Sequence, residues 1–182
     1  MVNSFPGFIL LAFGLFWAPL AEAKTFEALP GKSRITYTIV HPWHEVEGVS
    51  RNFDCRVELS DDTVHSHVEI KVPILSFSSG NGQRDAKVLE IVDAFQFPFA
   101  EFTSDSIQRH GPYYQIFGRV NIHGNQKPIQ FLVVPRILDG VLHIIGEFNL
   151  KLSDFKVERP SFMFTRTHDD FHIDFDLVPK PT

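Results

Sequence analysis

The chain has 182 residues, a formal net charge of −5 and one cysteine. This length is enough for one domain with a sizeable core. The lack of a Lys/Arg cluster argues against a nucleic-acid-binding surface, and a single cysteine excludes an intramolecular disulfide.

The N-terminal segment has the features of a secretory signal. An apolar run from Phe8 to Leu20 precedes Ala21-Glu22-Ala23, which places small residues where a signal peptidase cleaves. The run is short for a transmembrane helix. It departs from the usual signal pattern in one respect, because no Lys or Arg precedes it. We expect a cleaved signal over residues 1–23 and one domain over 24–182, with an uncleaved anchor as the alternative.

Alternating apolar residues predict strands through most of the first half. They cover Ile35–Ile39, the run Val46–Leu59 and Val68–Val72, with a Pro-containing bend at His41–His44. Cys55 follows the inward alternation of its run, so we expect a buried apolar thiol and not a reactive one.

The segment from Ser76 to Ser104 breaks this pattern, because its apolar residues follow a helical period. We expect a helix capped by Asp85 that covers one end of the fold as a plug or a lid. Phe97 and Phe99 would complete this cover around Pro98. The residues expected to face inward are Val88, Ile91, Val92 and Phe95.

The second half again predicts strands and tight turns. Phe99–Ile107, Tyr114–Ile122, Ile129–Val134 and Phe171–Leu177 alternate, and Asp139-Gly140 is a turn. With one or two strands near Leu142–Leu152, the total is about eight. Such a meander closes into a barrel or stacks as a sandwich. The 19 phenylalanines, four of them in the first 23 residues, indicate an aromatic core or a cavity lined by flat apolar surface.

Catalytic and metal-binding motifs are weak. His65 and His67 share a strand face, as zinc ligands can, yet no third ligand is indicated. No nucleophile elbow or nucleotide-binding glycine motif occurs. The pair Arg84-Asp85 either anchors the helix on the barrel rim or meets the polar head of a ligand.

A series of ordered landmarks resembles the YceI-like family of secreted bacterial β-barrels, from about Phe26 to Leu177. The landmarks are a strand ending at His41 with Gly48 and Phe53 after it; Arg84-Asp85 before a helix; Phe95 to Pro98 followed by Phe102-Thr103-Ser104; the hairpin from Gly118 to Gly124 with Lys127-Pro128-Ile129; and Leu152-Ser153-Asp154-Phe155.

This resemblance implies an all-β, antiparallel, lipocalin-like barrel of about eight strands with one helical insert. It also implies a periplasmic protein that binds or transports a polyisoprenoid, an isoprenoid quinone or a fatty-acid-like lipid. Because no catalytic or nucleotide-binding motif occurs, we expect no cofactor and no enzymatic activity. Transient contact with a membrane surface and a homodimer stay open. We expect Arg84 to contact the lipid head group, and the other ligand-binding residues to be Tyr37, Ile39, Phe53, Ile70, Phe95, Phe97, Phe99, Ile116, Val120, Phe131 and Ile144.

Two other functions stay open. One is a hydrolase-like enzyme acting on a small molecule, which requires His41 or His44 to face the cavity beside a carboxylate. The other is a non-catalytic, stress-related interaction module whose barrel is packed solid.

Overall fold

A computed structural model describes residues 24–60, 66–162 and 165–182. The expected signal at 1–23 and His65 lie outside this range. Within it, no helix is both long and apolar enough to cross a bilayer.

Strands dominate the described chain, and thirteen are present. Eleven form one sheet and two form a separate small hairpin. The strands are β1 Lys24–Ala28, β2 Arg34–His41, β3 His44–Ser50, β4 Asp54–Leu59, β5 His67–Pro73, β6 Phe99–His110, β7 Tyr113–Ile122, β8 Asn125–Leu138, β9 Val141–Lys151, β10 Ser161–Phe162, β11 Thr165–Arg166, β12 Asp170–Leu177 and β13 Pro179–Pro181.

The large sheet has the order β13-β1-β4-β5-β6-β7-β8-β9-β12-β2-β3, with all neighbours antiparallel. Only Val178 separates β12 from β13. β12 pairs near the β3 end of the sheet and β13 lies at the opposite end, so the two ends of the sheet are close together. At the β3 edge, Val49 and Ser78 exchange two backbone hydrogen bonds of 2.9 and 3.1 Å. The sheet therefore curls into an all-β barrel, as predicted, although it has more than eight strands.

Period-two alternation places one apolar face inside the curl. Residues paired across neighbouring strands share a face, and the pairs Cys55–Ile70, Ile70–Phe102 and Phe102–Val120 link four strands through one inner row. The outer row beside it carries Arg56–Glu69 and Lys71–Glu101. This separation of apolar and charged rows makes the barrel interior the hydrophobic core.

The helical insert consists of α1, Gly82–Ile91, which follows a short 3-10 helix at Ile74–Ser76. Its N-cap is Asn81, whose side chain accepts hydrogen bonds from the backbone N–H groups of Gln83 and Arg84. The prediction that Asp85 caps this helix is therefore wrong. α1 also ends before Phe95, because the chain leaves helical geometry at Val92 and Asp93 has a positive φ of 44°.

Two features of the sheet were not predicted. The run Val46–Leu59 splits into β3 and β4, which lie in different parts of the sheet and are separated by residues 51–53. β1 and β13 are short and pair with each other at one edge. Their pairing depends on barrel closure, which local alternation does not reveal.

Candidate ligand-binding interior

The inner face of the barrel is only partly filled. Ile116 and Val120 are buried within it. Several other inward apolar side chains stay half-buried although they pack against this core; they are Ile39, Phe53, Ile70, Phe131, Ile144, Phe148 and Ile173. An inward side chain that keeps solvent access is not closely packed on all sides.

Phe131 is the centre of an aromatic cluster in this interior. Its ring centroid lies 4.8 Å from that of Phe148, 5.4 Å from that of Phe102 and 5.8 Å from that of Phe175. These spacings suit offset or edge-on aromatic contact. Of the four residues, only Phe131 was among the predicted ligand contacts. Phe102, Phe148 and Phe175 carry the same period-two signal and could have been selected from it.

Tyr37 lies where the interior meets the insert. It is almost fully buried, and its ring stacks edge-on against Phe77 with centroids 5.3 Å apart. The pKa of its phenol is raised to about 12, chiefly by burial and next by the Asp85 carboxylate, while the Arg84 guanidinium acts in the opposite direction. Like any phenol with a pKa of about 10 or above, Tyr37 is neutral at physiological pH and can act as a hydrogen-bond donor.

Arg84 and Asp85 fasten the start of α1 to the neighbouring loop. The Arg84 guanidinium donates to Ser79 Oγ and to the Ser79 carbonyl oxygen, each at 3.0 Å. Asp85 accepts from the Ser79 N–H at 2.9 Å and from the hydroxyls of Ser78 and Ser79. These hydrogen bonds, led by the Ser79 hydroxyl, lower the pKa of Asp85.

Ser78 itself pairs with Val49, so the Arg84-Asp85 pair connects α1 to the edge strand β3. A second link lies beside it, where the Ser50 and Ser76 hydroxyls are 2.7 Å apart. These contacts agree with the expectation that Arg84-Asp85 anchors the insert on the barrel rim. Contact between Arg84 and a ligand head group stays a prediction.

The three phenylalanines expected to form the cover occupy three different environments. Phe95 is fully exposed and does not turn inward, because α1 has ended before it. Phe99 lies on the outer row of β6, where Lys71 Nζ stands 4.2 Å from its ring centroid. Phe97 alone packs on the barrel end, against His123 with centroids 4.9 Å apart. The insert contributes Ile91 and Val92 to the core instead.

A cleft of about 710 Å³ opens along β4, β5 and β6. Its walls include the predicted residues Phe53 and Ile70, together with inward-facing Cys55 and Phe102. Charged side chains of the outer row, such as Lys71, surround it. The lining of the cleft thus alternates between apolar residues of the inner row and charged residues of the outer row of these strands.

His41 and Cys55 are buried inside the fold. His41 is buried; its Nε2 lies 3.3 Å from the Thr165 carbonyl oxygen, and its Nδ1 accepts from the Trp43 N–H at 3.4 Å. Cys55 is a buried free thiol, as predicted, and burial raises its pKa to about 12. Among residues 24–60, 66–162 and 165–182, no three His, Cys, Asp or Glu side chains are grouped to hold a metal ion.

Two of the sequence landmarks meet through a single carbonyl group. Phe155 is completely buried, and its carbonyl oxygen lies 3.1 Å from His123 Nδ1 and accepts from Asn125 Nδ2 at 3.0 Å. The hairpin turn at His123-Gly124 is therefore joined to the 3-10 helix Leu152–Phe155. The contact gives both landmarks a structural role at one end of the barrel.

These features define an all-β barrel with one helical insert and a partly open apolar interior. A family model described as a YceI-like domain matches residues 26–178, and the chain belongs to this family. No curated protein matches the sequence.

Solved structures share the fold at low sequence identity. BcnA of Burkholderia cenocepacia is similar with a TM-score of 0.75 and 21% identity, over 83% of this chain and 98% of that one. A polyisoprenoid-binding domain from Saccharophagus degradans, implicated in plant cell wall breakdown, has a TM-score of 0.64 and 10% identity, over 86% and 98%. A Campylobacter jejuni YceI protein has a TM-score of 0.61 and 17% identity, over 75% and 85%.

Proposed function

We propose that this protein binds a polyisoprenoid or a related amphiphilic lipid inside the barrel and carries it through the periplasm. The observation that supports this most is the incomplete burial of inward apolar residues such as Phe131, Ile144 and Phe148. An apolar chain that entered this space would gain about 0.8 kcal/mol for each methylene removed from water.

The proposed ligand matches the chemistry of the interior. Its lining is aliphatic and aromatic around Phe131, which suits an isoprenoid or acyl tail, and neutral Tyr37 offers a hydrogen-bond donor close to the rim. The Saccharophagus domain of the same fold is described as polyisoprenoid-binding, which supports the same ligand class here. An isoprenoid quinone and a fatty acid remain alternatives within this class.

We infer that the protein is a binding protein and not an enzyme. The hydrolase-like alternative needs His41 or His44 as a base facing the cavity. His41 Nδ1 accepts from the Trp43 N–H and Nε2 lies 3.3 Å from the Thr165 carbonyl oxygen, so backbone groups engage both ring nitrogens that a base would need, and His44 is exposed. The periplasmic location rests on the signal-like sequence of residues 1–23.

The test is to express the full chain in a diderm bacterium, isolate the periplasmic protein, and record its native mass spectrum before and after organic extraction. The proposal predicts an added mass that disappears on extraction and is identified as an amphiphilic lipid in the extract. Repeated preparations free of lipid, together with a crystal structure showing a filled interior, would contradict it and favour the packed interaction module.

A further inference from the structure

The hairpin between β8 and β9 extends beyond the rest of the barrel. β7 pairs with β8 only as far as Val133, and β12 pairs with β9 only as far as Ile144. Residues 136–143, called the β8–β9 finger below, pair only with each other within the described sheet. The finger turns at Asp139-Gly140, where both residues have positive φ.

Both faces of the β8–β9 finger are apolar and exposed. Ile137 and Leu142 face each other on one side and are 68% and 39% exposed. Leu138 and Val141 do so on the other side, at 43% and 38%. A flat protein surface would cover only one of these sides. A medium that surrounds the finger, such as the interfacial region of a bilayer, covers both.

The inner row of the finger continues the lining of the barrel. Ile137 follows Val133 and Pro135 at two-residue spacing on β8, and Leu142 precedes Ile144 on β9 in the same way. Pro135 pairs with Ile144, and Ile137 with Leu142. An uninterrupted apolar row therefore leads from the half-buried interior residues to the exposed tip.

Cationic and aromatic side chains accompany the finger. Arg136 at its base and Arg109 beside the β6–β7 turn are exposed. The ion pairs among the described residues include neither arginine, and Arg109 donates to the Gly111 carbonyl oxygen at 3.3 Å. Tyr113 of the same turn is exposed, as is usual for tyrosines at the level of lipid head groups. At the base of the finger, His143 Nδ1 lies 2.6 Å from Asp176 Oδ1. At the tip lies the carboxylate of Asp139, which limits insertion to a shallow depth.

We propose that the β8–β9 finger docks the protein on an anionic lipid bilayer, with Arg109 and Arg136 at the phosphate level. The apolar row on β8 and β9 then forms the path by which a lipid tail passes between bilayer and barrel. This inference rests on the proposed function, since it gives the lipid-binding interior a place to load and unload.

The test is co-sedimentation of the full mature protein with phosphatidylcholine vesicles, with and without phosphatidylglycerol. The double variant Ile137→Ser/Leu142→Ser should bind at least about tenfold more weakly than the wild type. The matched control Leu75→Ser/Leu132→Ser removes two other exposed leucines, 77% and 53% exposed, and should bind like the wild type. Arg109→Gln/Arg136→Gln should lose affinity for the phosphatidylglycerol vesicles by about fivefold per removed charge.

Wild-type protein that fails to bind either vesicle, or equal binding by all variants, would overturn the docking proposal. So would a dimer of the wild type that the finger variant abolishes without any vesicle binding. Native mass spectra of the same samples separate this from the proposed function. A finger variant that keeps its lipid but loses vesicle binding supports docking. Vesicle binding by a wild type that never contains lipid would support docking and contradict the proposed lipid-binding function.

Discussion

The phenol ring of Tyr37 lies directly across Gly48 of the neighbouring strand. A Cβ atom added at Gly48 would stand 2.3 Å from Tyr37 Cε1 and 2.6 Å from its hydroxyl oxygen. The two residues are paired in the β2–β3 register, so the missing side chain makes room for the ring. The position of Tyr37 at the junction of interior and insert therefore depends on a glycine across the ladder.

Replacing this glycine should displace Tyr37. Gly48→Ala is expected to lower the free energy of unfolding by about 1–3 kcal/mol, because the ring must move within a packed region. Chemical denaturation gives the value, and tyrosine fluorescence in a Trp43→Phe background reports the altered environment. Gly82→Ala is the control: nothing lies within 4 Å of its added Cβ, so it should be neutral or stabilising. Equal losses in both variants would contradict the Tyr37–Gly48 account.

Acid should weaken the attachment of α1 to the barrel rim. The pKa of Asp85 is lowered in the folded state by hydrogen bonds led by the Ser79 hydroxyl. A carboxyl with a depressed folded pKa adds stability above its unfolded pKa and loses it as the pH falls through the folded value. Wild type should therefore be more stable than Asp85→Asn at neutral pH, and this difference should shrink on acidification. Denaturation of both proteins across this pH range measures it.

Asp169→Asn is the matched control for this experiment. The pKa of Asp169 is also lowered, chiefly by a hydrogen bond from the Ser153 hydroxyl. Ser153 belongs to the 3-10 helix Leu152–Phe155 and not to the insert that carries α1. Asp85→Asn should speed amide hydrogen exchange in α1, and Asp169→Asn should leave it unchanged. A pH-independent gap between wild type and Asp85→Asn, or equal exchange in α1 in both variants, would refute the role of Asp85 as an anchor.

Phe95 and Phe97 should differ sharply in their effect on stability. Phe97→Ala removes the ring that packs on His123 and lies over Gly124, and should cost about 1–3 kcal/mol. Phe95→Ala removes a fully exposed ring and should change the free energy of unfolding by less than about 0.5 kcal/mol. Thermal unfolding of both variants, with lipid content measured in parallel, shows whether Phe97 acts as a structural plug or retains lipid. Similar stabilities would mean that Phe97 does not pack as described.

Local patterns in the sequence predicted much of the fold. Alternation at Ile35, Tyr37 and Ile39 correctly predicted a strand, and Asp139-Gly140 correctly predicted a turn. The helical period was extended too far, to Phe95, because the positive φ of Asp93 that follows the helix end is not visible in an apolar pattern. Phe99 was expected to contact the ligand as part of the cover, but Phe102 on the same strand faces inward, and an odd number of residues along a strand reverses the face.

The remaining features depend on contacts between distant residues. Gly48 opposite Tyr37, Ser78 bonded to Val49 and β13 paired with β1 follow from strand register and barrel closure. The sequence contains the residues, but their partners are fixed only when the sheet curls. For this reason the inward-facing residues of single strands were predictable, whereas the contacts that close the barrel and the β8–β9 finger were not.

The central claim, that a lipid tail lies inside the barrel, is tested most directly by two neighbouring residues of β8. Phe131 faces the aromatic interior, and Leu132 faces outward and is 53% exposed. In a Trp43→Phe background, Phe131→Trp and Leu132→Trp are titrated with a spin-labelled polyprenol and a spin-labelled fatty acid. The account predicts saturable fluorescence quenching of Phe131→Trp by at least one probe and little quenching of Leu132→Trp. Equal quenching at both positions, or none in either folded variant, would contradict it.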